Sequence, residues 1–96
     1  MVLSVLADGP AHGYAVIVRL RERSEGQFDL AEGTLYPALH RLEGEGQVIS
    51  SWSEVHGRRR KIYQVTRSGA AELVEKRARW AEFSNAMTQV LGGATA

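Results

Sequence analysis

The stretch GTLYPALHRLEGEG, residues 33–46, decides the fold because it combines an apolar helical stripe with a defined end. Leu35, Leu39 and Leu42 are spaced by four and three residues, which places them on one face of a helix predicted from about Glu32 to Glu45. Gly46 follows this helix, and glycine readily adopts the left-handed conformation in which helices end. The apolar face is expected in a core, which leaves the polar and aromatic face for a partner.

The flanking sequence predicts further short elements. Apolar residues 2–7 and residues His12 to about Ser24 predict two helices that precede residues 33–46. Downstream, Gln47 to Glu54 and Arg60 to Thr66 predict two strands around a turn at Val55 to Arg59. A helix-turn-helix followed by a two-stranded hairpin is the order of a winged helix. We therefore predict a mainly α fold with a small β-hairpin.

The C-terminal part of the sequence predicts one long helix. Thr66 is suited to the N-cap position, and the helix is expected to run to about Leu91. Its large apolar residues are separated by seven, three, four and three positions, the a/d pattern of helices that pair, with an interruption at Lys76. These residues, expected at a dimer interface, are Leu73, Trp80, Phe83, Met87 and Val90. The predicted organisation is a winged helix-turn-helix at 1–66, a dimerisation helix at 67–91 and a flexible tail at 92–96.

Four consecutive cations follow Gly57 in the predicted hairpin. Arg58, Arg59, Arg60 and Lys61 produce a local positive field in a chain whose net charge is only +1. A flexible cationic tip can contact DNA phosphates or a narrow minor groove. The alternative is a solvated turn without a partner. Because a helix-turn-helix comes directly before the cations, we interpret them as a nucleic-acid contact.

The composition argues against an enzyme and against a membrane protein. The chain has no cysteine, and its three histidines, His12, His40 and His56, lie in separate elements without the spacing of metal ligands. The apolar runs are far shorter than the roughly 20 residues that span a bilayer, and the first residues do not form a signal peptide. We expect a cytoplasmic protein without catalytic residues, metal or cofactor.

Three blocks of the sequence resemble the PadR family of bacterial transcriptional regulators: GPAHGY at 9–14, GTLYPALHRLEGEG at 33–46 and GRRRKIYQVTRSG at 57–69. The resemblance extends from Leu3 to about Leu91, and the single C-terminal helix is similar to the short subfamily. It implies a homodimer that binds a pseudo-palindromic operator in double-stranded DNA. The residues implied to contact DNA are Tyr14, Thr34, Tyr36, Pro37, His40 and Arg41, together with Gly57, Arg58, Arg59, Arg60 and Lys61 of the wing.

Trp80 has two interpretations. In some family members a tryptophan at this place lines a cavity at the dimer interface and stacks flat aromatic ligands, which implies a repressor released by a small aromatic effector. Alternatively, Trp80 only fills the interface beside Phe83 and Met87. A second hypothesis for the whole chain also stays open, namely a winged-helix module that binds proteins and not DNA.

Overall fold

The computed structural model describes residues 1–92 of the 96-residue chain. The fold is mainly helical with a small antiparallel sheet, as predicted. The elements in chain order are α1 (Val2–Leu6), β1 (Ala11–His12), α2 (Gly13–Arg23), α3 (Glu32–Gly44), β2 (Val48–Val55), β3 (Arg58–Val65) and α4 (Arg67–Val90). Residues 93–96 of the predicted flexible tail lie outside the described residues.

The core lies between α1, α2, α3 and one face of the sheet. Leu35, Leu39 and Leu42 of α3 are buried, which confirms the stripe that the sequence predicts. Val48 and Tyr63 contribute the buried side chains of β2 and β3. The remaining buried apolar side chains come from the first two helices, β1 and α4: Val2, Leu3, Val5, Leu6, Ala11, Val16, Ile17, Leu20 and Leu73. The polar side of α3 is therefore left in solvent.

The sheet has three strands in the order β1-β3-β2, all antiparallel. In the hairpin, Val48 pairs with Val65 at one end and Val55 pairs with Arg58 at the other. The strand β1, which the sequence analysis did not predict, pairs with β3 through Ala11–Tyr63 and His12–Ile62. Two residues are too few to show an alternating pattern, so β1 leaves no sequence signal.

The hairpin turn is shorter than predicted. Only His56 and Gly57 lie between the strands, and both have positive φ, 53° and 74°, as in the tight turns that match the twist of two strands. Arg58 and Arg59, which the sequence analysis placed in the turn, consequently lie in β3 together with Arg60 and Lys61, so the four cations do not form a flexible tip. The boundary was missed because a polar strand end has no apolar alternation to mark it.

The helix α4 begins as predicted and then leaves the core. The Thr66 hydroxyl accepts a hydrogen bond from the Gly69 N–H at 3.0 Å and donates one to the Gly46 carbonyl at 2.7 Å, so one side chain joins the start of α4 to the end of α3. Leu73 is only 7% exposed and packs in the core of its own chain, which differs from its predicted place at a dimer interface. Beyond Leu73 the helix projects into solvent. Within residues 1–92 no helix is long and apolar enough to cross a membrane.

Candidate nucleic-acid interface

A cleft of about 330 Å³ lies between the hairpin and the first turns of α2 and α3. We call it the wing cleft. It brings together five residues that the sequence analysis assigned to DNA contact, from three different elements: Tyr14, Tyr36, Arg59, Arg60 and Lys61. Its other lining residues are His12, Gly13 and Tyr63. The cationic part of the wing and the Tyr36 side of α3 therefore face the same space.

Tyr36 lies directly over the start of α2. A Cβ atom built on Gly13 would be 2.5 Å from the Tyr36 hydroxyl oxygen and 2.8 Å from the adjacent ring carbon, so any larger residue would displace the ring. The ring remains 43% exposed. The glycine of the GPAHGY block therefore leaves room for the Tyr36 ring over the start of α2.

The other predicted residues of α3 are distributed around its exposed side. Pro37 and His40 are exposed. Thr34 and Arg41 line a different cleft of about 530 Å³ between α1, α3 and α4, which we call the helix cleft. Trp80 lines the helix cleft too, beside Leu42 and Leu73. The structure therefore places Tyr36 in the wing cleft and Thr34 and Arg41 in the helix cleft, while Pro37 and His40 line neither.

The four cations of β3 have different environments because successive side chains of a strand point to opposite faces. The Arg59 guanidinium lies 4.8 Å from the centre of the Trp52 ring, where the aromatic face attracts the cation without neutralising it. The Lys61 Nζ is 3.8 Å from Oε1 of Glu43, and Oε2 of the same carboxylate accepts a hydrogen bond from the Ser50 hydroxyl at 2.7 Å. Arg58 is exposed beside the turn. Arg58 and Arg59 are thus better placed than Lys61 to attract an anion.

Tyr63 forms the floor of the wing cleft. Burial raises the pKa of its hydroxyl, and the charge of Glu43 and the hydroxyl of Tyr36 raise it further. Tyr63 therefore stays neutral at physiological pH and contributes a hydroxyl without a negative charge. The cationic character of the cleft is preserved.

His12 lines the wing cleft, although the sequence analysis did not include it among the DNA contacts. It is the N-cap of α2, and its Nδ1 accepts a hydrogen bond from the Ala15 N–H at 3.3 Å. Its Nε2 lies 3.0 Å from a guanidinium nitrogen of Arg60. Burial lowers the pKa of His12, and the charges of Arg60 and Arg19 lower it further. In the sequence, the cap could have been recognised only from the position of His12 just before a helix. The contact with Arg60 leaves no sequence signal, because it depends on the pairing of β1 with β3.

The start of α3 differs from the start of α2. Ala31 occupies the N-cap position of α3, and none of the side chains in the described part of the chain caps this end. The first-turn N–H groups of α3 therefore lack the side-chain acceptor that serine, threonine, aspartate or asparagine would supply. Such an end has a partial positive charge, which favours an anion.

Comparison with known proteins gives one consistent result. The sequence profile of the "Transcriptional regulator PadR-like family" matches residues 2–75. A transcriptional regulator of Mycobacterium tuberculosis is 38% identical over 92 residues, which cover 96% of this chain and 80% of that protein.

Solved structures show the same fold. A PadR family transcription regulator from Clostridium difficile superposes with a TM-score of 0.84 at 35% identity, covering 94% of this chain and 93% of the other. A transcriptional regulator from Clostridium thermocellum also superposes with a TM-score of 0.84, at 28% identity, covering 92% and 86% of the two chains. The chain belongs to the PadR-like family, and it is a transcriptional regulator and not an enzyme.

Proposed function

We propose that this regulator binds double-stranded DNA as a homodimer and represses transcription from a pseudo-palindromic operator. One observation carries the proposal: Tyr36 of α3 and the cations Arg59 and Arg60 of β3 line the same cleft. A helix that enters the major groove and a wing that follows the backbone must face the duplex together. A chain without cysteine suits the reducing cytoplasm in which such a protein would act.

The two-fold symmetry of a homodimer sets the form of the operator. Each subunit presents one α3 helix and one wing, so the DNA must offer two half-sites related by the same axis. The half-sites are expected about one helical turn apart, which places both α3 helices on one side of the duplex. In this arrangement the phosphate contacts set the orientation, and the exposed side of α3 reads the bases.

The wing predicts a strong effect of charge reversal. Replacing both Arg58 and Arg59 with glutamate should weaken binding to operator and random DNA alike, because phosphate contacts carry no sequence information. The slope of log affinity against log salt concentration should fall by roughly one unit for each phosphate that the protein no longer neutralises. Fluorescence anisotropy at several salt concentrations measures both quantities.

The two substitutions are also made singly, as Arg58→Glu and Arg59→Glu. Arg67→Glu is the matched control for these single substitutions. Arg67 is exposed at the start of α4 and lines neither the wing cleft nor the helix cleft. It changes the net charge by the same amount as either wing substitution. Equal affinity losses for Arg67→Glu and Arg59→Glu, or an unchanged salt slope in the wing variants, would reject the wing assignment.

The exposed side of α3 predicts an effect on sequence preference. Replacing Tyr36 or His40 with alanine should reduce operator affinity by about tenfold, because a good base contact contributes roughly 1–3 kcal/mol of discrimination. Random DNA should be bound almost as before. Phe28→Ala, which removes an exposed aromatic ring from the loop before α3, is the control. Equal losses on operator and random duplexes would show that these side chains do not read bases.

The same proposal includes release by a small aromatic effector in the helix cleft. Trp80 is 66% exposed and lies beside apolar residues of α1 and α3, so a flat apolar molecule could stack there. Such a molecule would touch both α4 and α3, which joins the dimerisation helix to the DNA-binding helix. It shifts the equilibrium only if it binds one arrangement of the two subunits better than the other.

The competing hypothesis is a winged-helix module that binds proteins. It predicts that the duplex upstream of the chain's own gene is not retarded in a gel shift, whereas our proposal predicts retardation that weakens with added salt. Salt-dependent retardation that disappears on charge reversal at Arg58 and Arg59 would exclude the competing hypothesis.

A further inference from the structure

His12 faces two hydrogen-bond donors at once. The Ala15 N–H points at its Nδ1 at 3.3 Å, and the Arg60 guanidinium approaches its Nε2 at 3.0 Å. A backbone N–H and a guanidinium can only donate. Both ring nitrogens would therefore have to accept, although His12 is fixed between α2 and β3 by its strand pairing with Ile62.

A neutral imidazole has one proton and so only one accepting nitrogen. With the proton on Nε2, the ring caps α2 through Nδ1 but directs an N–H at Arg60. With the proton on Nδ1, the ring accepts from Arg60 but directs an N–H at Ala15. An imidazolium could accept neither bond, and its lowered pKa keeps His12 neutral at pH 7.5. The two hydrogen bonds are alternatives, so the ring forms only one of them at a time.

We propose that His12 is a positioning residue that holds Arg60 over the wing cleft in the free protein and releases it to a DNA phosphate by exchanging one neutral tautomer for the other. The inference rests on the proposed DNA binding. In the free protein the shorter contact, to a charged donor, favours the Nδ1–H form, because charge-assisted hydrogen bonds are about twice as strong as neutral ones. The Ala15 N–H is then left without its side-chain acceptor.

A phosphate in the wing cleft changes this balance. Arg60 turns to the anion. Nε2 then takes up a proton from solvent and Nδ1 loses its proton to solvent, so the net charge of the ring does not change. The Nε2–H can then donate to the phosphate, and Nδ1 caps α2. No carboxylate lines the wing cleft to compete for Arg60 among the residues that the structure describes. The charged and titratable groups around the ring are Arg59, Arg60, Lys61 and Tyr63 of β3, Tyr14 and Arg19 of α2, and Tyr36 of α3.

The first experiment concerns the free protein at pH 7.5. Long-range ¹H–¹⁵N spectra of the histidine-labelled chain distinguish the protonated nitrogen of each ring, and His12→Asn identifies the His12 signals by their disappearance. We expect mainly Nδ1–H in the wild-type chain and mainly Nε2–H in Arg60→Ala. Arg59→Ala is the control, because it also removes a positive charge from the lining of the wing cleft, but its guanidinium lies over the Trp52 ring, whereas that of Arg60 lies against His12. The same tautomer in the wild-type chain and Arg60→Ala would overturn the inference.

Exchange of the Ala15 amide proton gives a second measurement. The cap forms only in the Nε2–H state, so exchange should slow several-fold in Arg60→Ala relative to the wild-type chain, while Arg59→Ala leaves it unchanged. Faster or equal exchange in Arg60→Ala would contradict the competition between cap and arginine. This readout does not depend on DNA.

The second experiment adds the duplex upstream of the chain's own gene. Saturation of the wild-type chain with this duplex is expected to convert His12 from the Nδ1–H to the Nε2–H tautomer and to slow exchange of the Ala15 amide proton. The Arg60→Ala variant should show no further change of tautomer. If a gel shift shows that the complex forms but the His12 tautomer does not change, the proposed release of Arg60 is wrong and the proposed DNA binding stands. If the wild-type chain binds no duplex, both the proposed function and the release of Arg60 are wrong. The comparison of the wild-type chain with Arg60→Ala without DNA would still show whether Ala15 and Arg60 compete for His12.

Discussion

Replacing Phe83 with glutamate is expected to convert a dimer into a monomer and to weaken operator binding by about 100-fold or more, since a linked second half-site raises avidity by roughly 10²–10⁴. The rings of Phe83 and Trp80 are tilted by 33° relative to one another, with their centres 5.8 Å apart, on the outer part of α4. Trp80, Phe83 and Val90 are each more than half exposed, and Met87 lies between them in the same stripe. A glutamate in this stripe would bury an unpaired charge in the paired state.

Light scattering at micromolar concentration measures the change in mass, and anisotropy with operator DNA measures the change in affinity. Val74→Glu is the control, because Val74 is 66% exposed on the opposite side of α4 from the stripe. It should stay dimeric and keep its DNA affinity. A wild-type chain that is monomeric at micromolar concentration, or a Phe83→Glu variant that remains dimeric, would remove the basis for the symmetric operator.

The features that the sequence predicted correctly are governed by neighbours along the chain. The stripe of α3, its end near Gly46 and the Thr66 cap of α4 each involve residues within a few positions of one another. Helical periodicity and capping are local rules, so a single sequence is enough to apply them. The order of these elements then indicated the winged helix.

The features that were missed depend on contacts between distant segments. The strand β1 exists only because Ala11 and His12 reach β3, about 50 residues further along the chain. Leu73 belongs to the apolar pattern of α4, yet the helix packs against α1 and the sheet at that level and buries it. The cations of residues 58–61 look equivalent in sequence, but Glu43, Trp52 and His12 give them different partners. Tertiary pairing therefore determines the site, whereas local pattern determines the fold.

Gly69→Ala is expected to cost about 2 kcal/mol of stability net, because overpacking an interior site costs up to about 3 kcal/mol. A Cβ atom at Gly69 would overlap the carbonyl oxygen of Gln47, and the backbone carbon of that carbonyl would be 2.9 Å away. This carbonyl accepts a hydrogen bond from the Thr66 N–H at 3.1 Å, so it cannot move without breaking the junction between α3, the hairpin and α4. The helix propensity of alanine, about 1 kcal/mol better than glycine, offsets only part of the cost.

Gly44→Ala tests whether the effect comes from the overlap and not from the loss of a glycine. Gly44 is the last residue of α3, and a Cβ atom there would meet nothing within 4 Å. The Gly44→Ala substitution should leave the free energy of unfolding unchanged or raise it by up to about 1 kcal/mol, and the midpoint of urea unfolding should follow. Both variants must be compared at one protein concentration, because pairing through α4 would couple unfolding to dissociation. If Gly69→Ala matched Gly44→Ala, the first turn of α4 could move away from Gln47, and the overlap would not hold α4 against the end of α3.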